Sequence, residues 1–244
     1  MAENRSGTAI PDLWLFDFDR TLALLEPEVD WAQSRRELEI ELRTTNVPVA
    51  LLDELIAAIP RGNLPLYEAL RARLLDAPAA SLSPAGTAEA RAILARASAV
   101  IERYELAGVG RAVPMPGAQV LLRALGARNS TCAVVTSNSS RTVARWLADQ
   151  QATALVSVIV GRDSGLALKP SPAMVQLALE LCTCRDAIFV GDSEADLRAA
   201  HSASLRFLGI APELSQRARL LSCGANEHEM FQSPAELTRV FDLE

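Results

Sequence analysis

Residues 13–21 read LWLFDFDRT, a short apolar run that ends at two aspartates, Asp17 and Asp19. A run of this length is typical of a buried strand. Positions two apart on a strand share a face, so both carboxylates can reach one site beyond the end of the strand. Two anions this close repel each other unless a cation or a shared proton compensates. The pair therefore indicates a metal site or an acid/base pair, with two aspartates opening a solvated turn as the alternative.

Lys169 is the single lysine among the 24 lysines and arginines of the chain. It lies in the sequence GLALKP at residues 165–170, where a proline precedes a helix-like run at 171–181. The compact ammonium group of a lysine is not interchangeable with a planar guanidinium in a tight phosphate or carboxylate pocket. We count the one lysine of an arginine-rich chain as support for a functional role, with chance as the alternative.

Polar residues also end a second apolar run, VVTSN at residues 134–138. Thr136, Ser137 and Asn138 precede a predicted helix, and one of the next two serines is the expected cap. Hydroxyls and free backbone N–H groups at the start of a helix can hold phosphate oxygens. An ordinary helix cap is the alternative interpretation.

A third run, AIFVGDSEAD at residues 187–196, again ends in acidic side chains. Asp192 and Asp196 are four residues apart, so they share a face if a helix begins near Ser193. The helix dipole favours acidic residues in a first turn, which accounts for Asp196 as an alternative. That explanation fits Asp192 less well, because Asp192 directly follows the predicted strand.

These four segments, in this order, resemble the haloacid dehalogenase-like hydrolase superfamily. The matching residues are DFDRTL at 17–22, TSN at 136–138, KP at 169–170 and GDSEAD at 191–196. PMPGA at 114–118 and GAN at 224–226 resemble the phosphoglycolate phosphatase and β-phosphoglucomutase-like branch. The resemblance covers residues 10–22 and 113–240. It implies an α/β fold: a doubly wound parallel sheet with an inserted all-helical cap.

The pattern between the first two motifs also predicts a separate helical unit. Helical stretches are expected at residues 31–43, 49–59, 64–75 and 85–107. A block of about 90 residues is too long for a loop in a compact domain. We therefore predict a cap over residues 23–112, hinged near 22–26 and 108–116, and a core over 1–22 and 113–244.

The rest of the chain alternates strand-like and helix-like runs. Strands are expected at residues 131–136, 155–160, 187–190 and 205–210. Such alternation predicts a parallel sheet with helices on both faces. Ligands of such sheets bind beyond the carboxyl ends of the strands, which is where Asp17, Thr136 and Asp192 fall.

The resemblance implies a phosphatase that hydrolyses a small-molecule phosphomonoester with Mg²⁺ through an aspartyl-phosphate. Asp17 would be the nucleophile, and Asp19 would protonate the leaving alkoxide and then activate water. Mg²⁺ would bind the carboxylates of Asp17 and Asp192 and the backbone carbonyl of Asp19.

The remaining roles that the resemblance implies concern the phosphoryl group and its surroundings. Thr136, with the backbone N–H groups near Ser137 and Asn138, would hold the phosphoryl oxygens. Lys169 would add positive charge to the transferring group. Asp196 and Thr21 would lie behind these groups, with Asp196 orienting Lys169 or a metal-bound water.

The same residues separate the chemistries of the superfamily. A dehalogenase typically lacks the second aspartate, and a phosphonatase needs a cap lysine that this chain does not have. A sugar phosphomutase shares the whole core and stays an alternative, although the cap has neither the histidine nor the lysine of similar mutases. A non-catalytic phosphate-binding protein is a further alternative. It predicts loss of a carboxylate or of the lysine, and all are present.

Two arginines near the expected site carry separate predictions. Arg20 stands where relatives often have glycine, and a positive φ would strain it, so we expect an ordinary turn with the guanidinium near the mouth of the site. The sequence PRGN at residues 60–63 predicts a tight loop between cap helices, in a position from which it can point towards the core. Arg61 is therefore a candidate contact to substrate, with a solvated arginine as the alternative.

Composition excludes several classes of partner. The formal charge is −6 with no basic block, which argues against nucleic acid or an anionic membrane as a partner. No apolar run is long enough for a membrane span, and residues 1–10 lack the apolar stretch of a signal peptide, so a cytoplasmic enzyme is expected. The four cysteines lack the spacing of a zinc site. The oligomeric state stays open.

Overall fold

A computed structural model describes residues 10–76, 84–184 and 186–243 of the chain. Its strands are β1 (Leu13–Phe16), β2 (Ala23–Leu24), β3 (Val113–Pro114), β4 (Thr131–Val135), β5 (Val158–Val160), β6 (Ala187–Gly191), β7 (Arg206–Ile210) and β8 (Met230–Phe231). Its α-helices are α1 (Trp31–Arg43), α2 (Val49–Ala58), α3 (Asn63–Leu75), α4 (Pro84–Val109), α5 (Ala118–Ala127), α6 (Ser140–Asp149), α7 (Ala173–Cys182), α8 (Glu194–Ser202), α9 (Leu214–Ser222) and α10 (Pro234–Val240).

A parallel sheet forms the centre of the molecule, with the strand order β5-β4-β1-β6-β7-β8. The central strand β1 pairs with β4 on one side and β6 on the other, and Phe16 is aligned with Val134 and Val190. The segments that follow these three strands therefore leave the sheet at the same edge. This confirms the predicted parallel sheet and places three of the four motifs together.

The side chains of β1 alternate between two apolar layers. Leu13 and Leu15 pack in the layer that includes α7 and α8, whereas Trp14 and Phe16 pack in the layer that includes α5, α6 and α10. All four side chains are completely buried. A strand that is covered on both faces reads as a continuous apolar run, which is why this strand was visible in the sequence.

The four predicted helices between the first two motifs are present as α1 to α4. They are joined to the sheet by a two-stranded ribbon, in which Ala23 of β2 pairs with Pro114 of β3. Helix α4 packs on α1 and α3 and also on α6. The division into a cap and a core at residues 23–112 stays a prediction.

The sequence misplaced one strand and did not predict several elements near the end of the chain. The strand expected at 155–160 begins only at Val158, because Thr153–Leu155 form a short 3-10 helix. β8, α9 and α10 were not predicted. In the described ranges, none of the helices has both the length and the apolar character of a membrane span.

Candidate active site

A cavity of about 750 Å³ lies at the carboxyl edge of the sheet. Eight of the nine core residues assigned to the site from the sequence line it, and Thr21 does not: the eight are Asp17, Asp19, Thr136, Ser137, Asn138, Lys169, Asp192 and Asp196. The helical segment contributes Trp31 and the start of α3, residues 62–65. Parallel register brings most of the core set together, because these residues follow a strand or begin the next helix, whereas Lys169 reaches the site from the longer connection between β5 and α7.

Lys169 connects two of the aspartates. Its Nζ lies 2.5 Å from Asp17 Oδ1 and 2.5 Å from Asp196 Oδ1, and it donates to the backbone carbonyl of Val135 at 3.0 Å. The lysine side chain is 4% exposed, so the ammonium is shielded from water. Burial acts to lower the pKa of Lys169, but the two carboxylates outweigh it and hold that pKa above its ordinary value. Lys169 therefore stays charged at neutral pH.

Asp196 is held in place by the start of helix α8. Ser193 caps the helix, and the Asp196 carboxylate accepts from the Ser193 N–H and Oγ, at 3.1 and 2.6 Å. Gly191 allows this approach, since a Cβ there would lie 2.6 Å from Asp196 Cβ. Oδ2 of Asp196 therefore accepts hydrogen bonds from the turn, and Oδ1 pairs with Lys169.

Asp192 is oriented by a residue that sequence reasoning missed. Gln216 of α9 is buried, and its Nε2 donates to the Asp192 carbonyl at 2.9 Å and to Asp192 Oδ2 at 3.1 Å. Arg219, one turn further along α9, also lines the cavity. Neither residue could be recognised from the local sequence, because polar residues are common on the solvated face of an amphipathic helix.

The carboxylates of Asp17, Asp192 and Asp196 form one cluster, with oxygen atoms within 4.8 Å of one another. Burial, reinforced by the neighbouring carboxylates, raises the pKa of Asp17 to about 7 and that of Asp192 to about 8. Packing acids this closely is costly without a counter-charge beyond Lys169. An all-oxygen, anionic site of this kind fits a hard divalent cation such as Mg²⁺.

Asp19 is tied to the connection between the sheet and the helical segment. Its Oδ1 accepts from the backbone N–H groups of Leu25 and Glu26, at 2.8 and 3.1 Å. Burial raises the pKa of Asp19 above its ordinary value. Thr21 is fully buried, and its hydroxyl has no hydrogen-bond partner among residues 10–76, 84–184 and 186–243.

The expected backbone conformation of Arg20 was wrong, because its φ is 60°, in the left-handed region. The Phe18 carbonyl accepts from three successive N–H groups, and Arg20 N–H donates to the Ala23 carbonyl at 2.6 Å. This tight turn imposes the conformation that glycine would adopt without strain. The Arg20 side chain pairs with Glu26 and lines the mouth of the cavity.

The segment after β4 forms a polar loop at the edge of the cavity. Thr136 Oγ1 accepts from the Asn138 N–H at 3.1 Å and donates to Asn138 Oδ1 at 3.1 Å. Ser139 caps helix α6, as one of the two expected serines. This loop, residues 136–139, thus places hydroxyl and backbone N–H groups at the cavity, where the sequence predicted them.

Arg61 is exposed, and the cavity is lined by its neighbours Gly62 and Asn63 instead. The guanidinium of Arg35 holds this loop by donating to the carbonyls of Ile59 and Gly62, both at 2.7 Å. In this conformation the structure does not bring Arg61 to the site, and its contact with substrate stays a prediction.

Comparison with known proteins supports a single family. Residues 87–210 match the family model described as haloacid dehalogenase-like hydrolase. The chain is 28% identical over 203 residues to a phosphoglycolate phosphatase from Pseudomonas putida, covering 82% of the chain and 70% of that protein. It is 31% identical over 107 residues to a phosphoglycolate phosphatase from Cereibacter sphaeroides, covering 44% of the chain and 49% of that protein.

Solved structures share the fold. A haloacid dehalogenase-like hydrolase from Bacteroides fragilis aligns with a TM-score of 0.63 at 16% identity, covering 93% of the chain and all of that structure. CbbY from Rhodobacter sphaeroides, in complex with phosphate, aligns with a TM-score of 0.58 at 24% identity, covering 96% of the chain and all of that structure. By its motifs, its fold and these matches, the chain belongs to the haloacid dehalogenase-like hydrolase family, as a phosphatase of the phosphoglycolate phosphatase-like branch.

Proposed function

We propose that this phosphatase hydrolyses small phosphomonoesters with Mg²⁺, through an aspartyl-phosphate on Asp17. The observation that carries the proposal is the ion pair of Lys169 with both Asp17 and Asp196, next to Asp192. Residues 136–139 lie at the same cavity, and we call them the phosphate loop. We assign residues 1–22 and 113–244 to the catalytic core and residues 23–112 to the cap.

Asp17 is the nucleophile in this proposal. The contact from Lys169 orients its carboxylate, and burial excludes the water that would otherwise solvate it. In this proposal the Thr136 hydroxyl turns from Asn138 Oδ1 to the phosphoryl oxygens. The backbone N–H groups near Ser137 and Asn138 hold these oxygens as well, with Lys169 adding positive charge. Attack by the Asp17 carboxylate on phosphorus then releases the alcohol of the ester.

Asp19 acts first as the general acid and then as the general base. Both backbone contacts to Asp19 use Oδ1, so we place the proton on Oδ2, from which it passes to the leaving oxygen. The raised pKa of Asp19 favours a protonated carboxyl at the start of the cycle. The same oxygen then accepts a proton from the water that cleaves the aspartyl-phosphate.

Mg²⁺ would be held by the carboxylates of Asp17 and Asp192 and by the backbone carbonyl of Asp19. When bound, it supplies positive charge that offsets the repulsion between the nucleophile and the phosphate. Gln216 keeps Asp192 turned towards this position, and Asp196 holds Lys169 rather than the metal.

The cavity favours a small substrate with a second anionic group. Three cationic side chains line it, and within the described part of the chain Arg20 is paired with Glu26 and Lys169 with two aspartates. Arg219 makes no ion pair with a described residue, so its guanidinium is available to a carboxylate or second phosphate. The relatives named phosphoglycolate phosphatases support a phosphorylated small acid as one such substrate.

Hydrolysis of p-nitrophenyl phosphate with and without Mg²⁺ tests the proposal, with Asp17→Asn as the matched variant. We expect turnover that requires the metal and that disappears in Asp17→Asn. A screen of phosphomonoesters with and without a second anionic group follows. Turnover that persists in Asp17→Asn would contradict the nucleophile. Absence of hydrolysis together with interconversion of phosphosugars would identify a mutase instead.

A further inference from the structure

A buried ion pair lies directly behind the phosphate loop and has no part in the chemistry proposed above. Arg162, which follows β5, and Glu105 of α4 are both completely inaccessible to solvent. Arg162 Nη1 lies 2.8 Å from Glu105 Oε1, and Arg162 Nη2 lies 3.2 Å from Glu105 Oε2. A buried pair of this kind gives little net stability, because desolvation offsets the attraction.

Glu105 holds the loop from the side of the helix. Its Oε1 accepts from Asn138 Nδ2 at 3.1 Å, and its Oε2 accepts from the Ser139 N–H at 3.1 Å and from Thr142 Oγ1 at 3.2 Å. One carboxylate therefore fixes the Asn138 side chain and the backbone at the start of α6. Asn138 Oδ1 in turn accepts from Thr136, which lines the cavity.

Arg162 holds the same loop by its carbonyl groups. Its Nη1 donates to the Ser137 carbonyl at 2.8 Å, and its backbone N–H donates to the Asn138 carbonyl at 2.9 Å. A trans peptide directs its N–H opposite to its C=O, so fixing the Ser137 carbonyl also fixes the Asn138 N–H. That N–H contacts the Thr136 hydroxyl at 3.1 Å.

The pair joins the helical segment to the chain that follows β5 of the sheet. Arg162 Nε donates to Ser98 Oγ at 3.0 Å, and Ser98 and Glu105 are seven residues apart on α4, on one face of that helix. The phosphate loop is therefore connected to α4 by charge-assisted hydrogen bonds to three successive residues, 137–139.

We propose that Glu105 and Arg162 are positioning residues that hold the phosphate loop in the shape that receives the phosphoryl group. The proposal rests on the proposed function, since it requires that this loop binds phosphate. It makes α4 of the cap a structural support of the phosphate site. Loss of Glu105 then weakens phosphate binding without removing any group that touches the phosphate.

The test uses Glu105→Gln, the double variant Glu105→Gln/Arg162→Met, and Arg141→Gln as control. The control removes a surface ion pair with Glu102, which joins α6 to α4 without contacting the loop. For each variant we would measure inhibition of p-nitrophenyl phosphate hydrolysis by inorganic phosphate, KM, kcat, phosphate binding by calorimetry, and Tm.

We expect Glu105→Gln to weaken inorganic phosphate binding and to raise KM by about tenfold. A glutamine offers one acceptor oxygen instead of two, so either Asn138 Nδ2 or the Ser139 N–H loses its acceptor. Its Tm falls, because Arg162 stays buried without a counter-charge. The double variant removes both charges, so Tm recovers while phosphate binding stays weak. Arg141→Gln keeps wild-type phosphate affinity.

Two results would overturn the proposal in different ways. If wild-type protein binds phosphate and the double variant, folded at the assay temperature, binds it equally well, the pair is only structural. If wild-type protein neither binds phosphate nor hydrolyses phosphate esters, the proposed function fails, and this inference fails with it.

Discussion

Gln216 shows how a single side chain outside the motifs can orient a residue of the proposed metal site. It contacts both the carbonyl and the carboxylate of Asp192 and leaves that carboxylate one preferred orientation. Loss of a side chain that orients a metal ligand in this way typically weakens metal affinity or activity by about 10–100-fold.

Gln216→Ala should therefore raise the Mg²⁺ concentration that gives half-maximal activity by roughly tenfold. The measurement is a Mg²⁺ titration of phosphatase activity, with kcat at saturating metal expected to change less. Gln176→Ala, an exposed glutamine on α7, serves as the control. An unchanged Mg²⁺ requirement in Gln216→Ala would show that Asp192 is held by other contacts.

The raised pKa values of Asp17 and Asp192 predict a pH-dependent stability of the metal-free protein. Both values, about 7 and about 8, lie above the ordinary aspartate value, so the folded state binds more protons than the unfolded state at intermediate pH. The free energy of unfolding contributed by these groups is therefore present at low pH and is lost as pH rises through 7 to 8.

The Tm of metal-free protein should fall between pH 5 and pH 8.5, the range that brackets these pKa values, and saturating Mg²⁺ should remove most of that fall. Thermal unfolding followed by circular dichroism, with and without EDTA, measures it. Asp192→Asn should flatten the pH dependence of Tm, because one of the two groups no longer titrates. A Tm that rises over this range in metal-free protein would contradict the assigned direction.

At the scale of the element, the start of α8 combines a structural cap with the acidic cluster. Ser193 Oγ accepts from the Asp196 N–H at 3.2 Å and donates to Asp196 Oδ2 at 2.6 Å. The same turn places Asp192 at the end of β6 and Asp196 against Lys169. The helix cap and the acidic cluster thus depend on one turn.

Ser193→Ala should lower the free energy of unfolding by about 1 kcal/mol, the usual cost of losing a helix cap. It should also reduce kcat, since Asp196 loses a contact that orients it towards Lys169. Urea unfolding and steady-state kinetics measure the two effects. Ser222→Ala, at the exposed end of α9, is the control. Equal stability of Ser193→Ala and wild type would argue against the capping role.

At the scale of the whole molecule, the helical segment makes a hydrogen bond with the loop that carries Lys169. Glu68 of α3 accepts from the Leu168 N–H at 3.1 Å, next to Lys169, and also pairs with Arg71. The cavity lies between these two parts of the chain, so this contact helps to hold the helices over the site.

Glu68→Ala should raise KM for p-nitrophenyl phosphate by about threefold, the scale of one hydrogen bond, with a smaller change in kcat. Glu54→Ala is the control, because Glu54 pairs with Arg73 within the helical segment and does not reach the sheet. Steady-state kinetics compares the two variants. Equal KM values would show that this hydrogen bond does not help to hold the helices over the site.

The local sequence was sufficient to predict which residues lie at the carboxyl edge of the sheet. In a parallel sheet, the residue that follows each buried strand is placed by register alone, so Asp17, Thr136 and Asp192 could be assigned to one site in advance. The four helices within residues 31–109 were likewise predicted, because runs that favour helix are separated there by proline and glycine.

Tertiary packing determined the long-range contacts and the backbone conformation that hydrophobic periodicity does not predict. Gln216 and Glu105 act through contacts with residues 24 and 33 positions away, on helices whose local pattern is ordinary. Arg20 adopts a positive φ because the carbonyls and N–H groups of the surrounding turn require it, against its own preference. Such features depend on which surfaces meet in the folded chain, and that is set only when the sheet and the helical segment pack together.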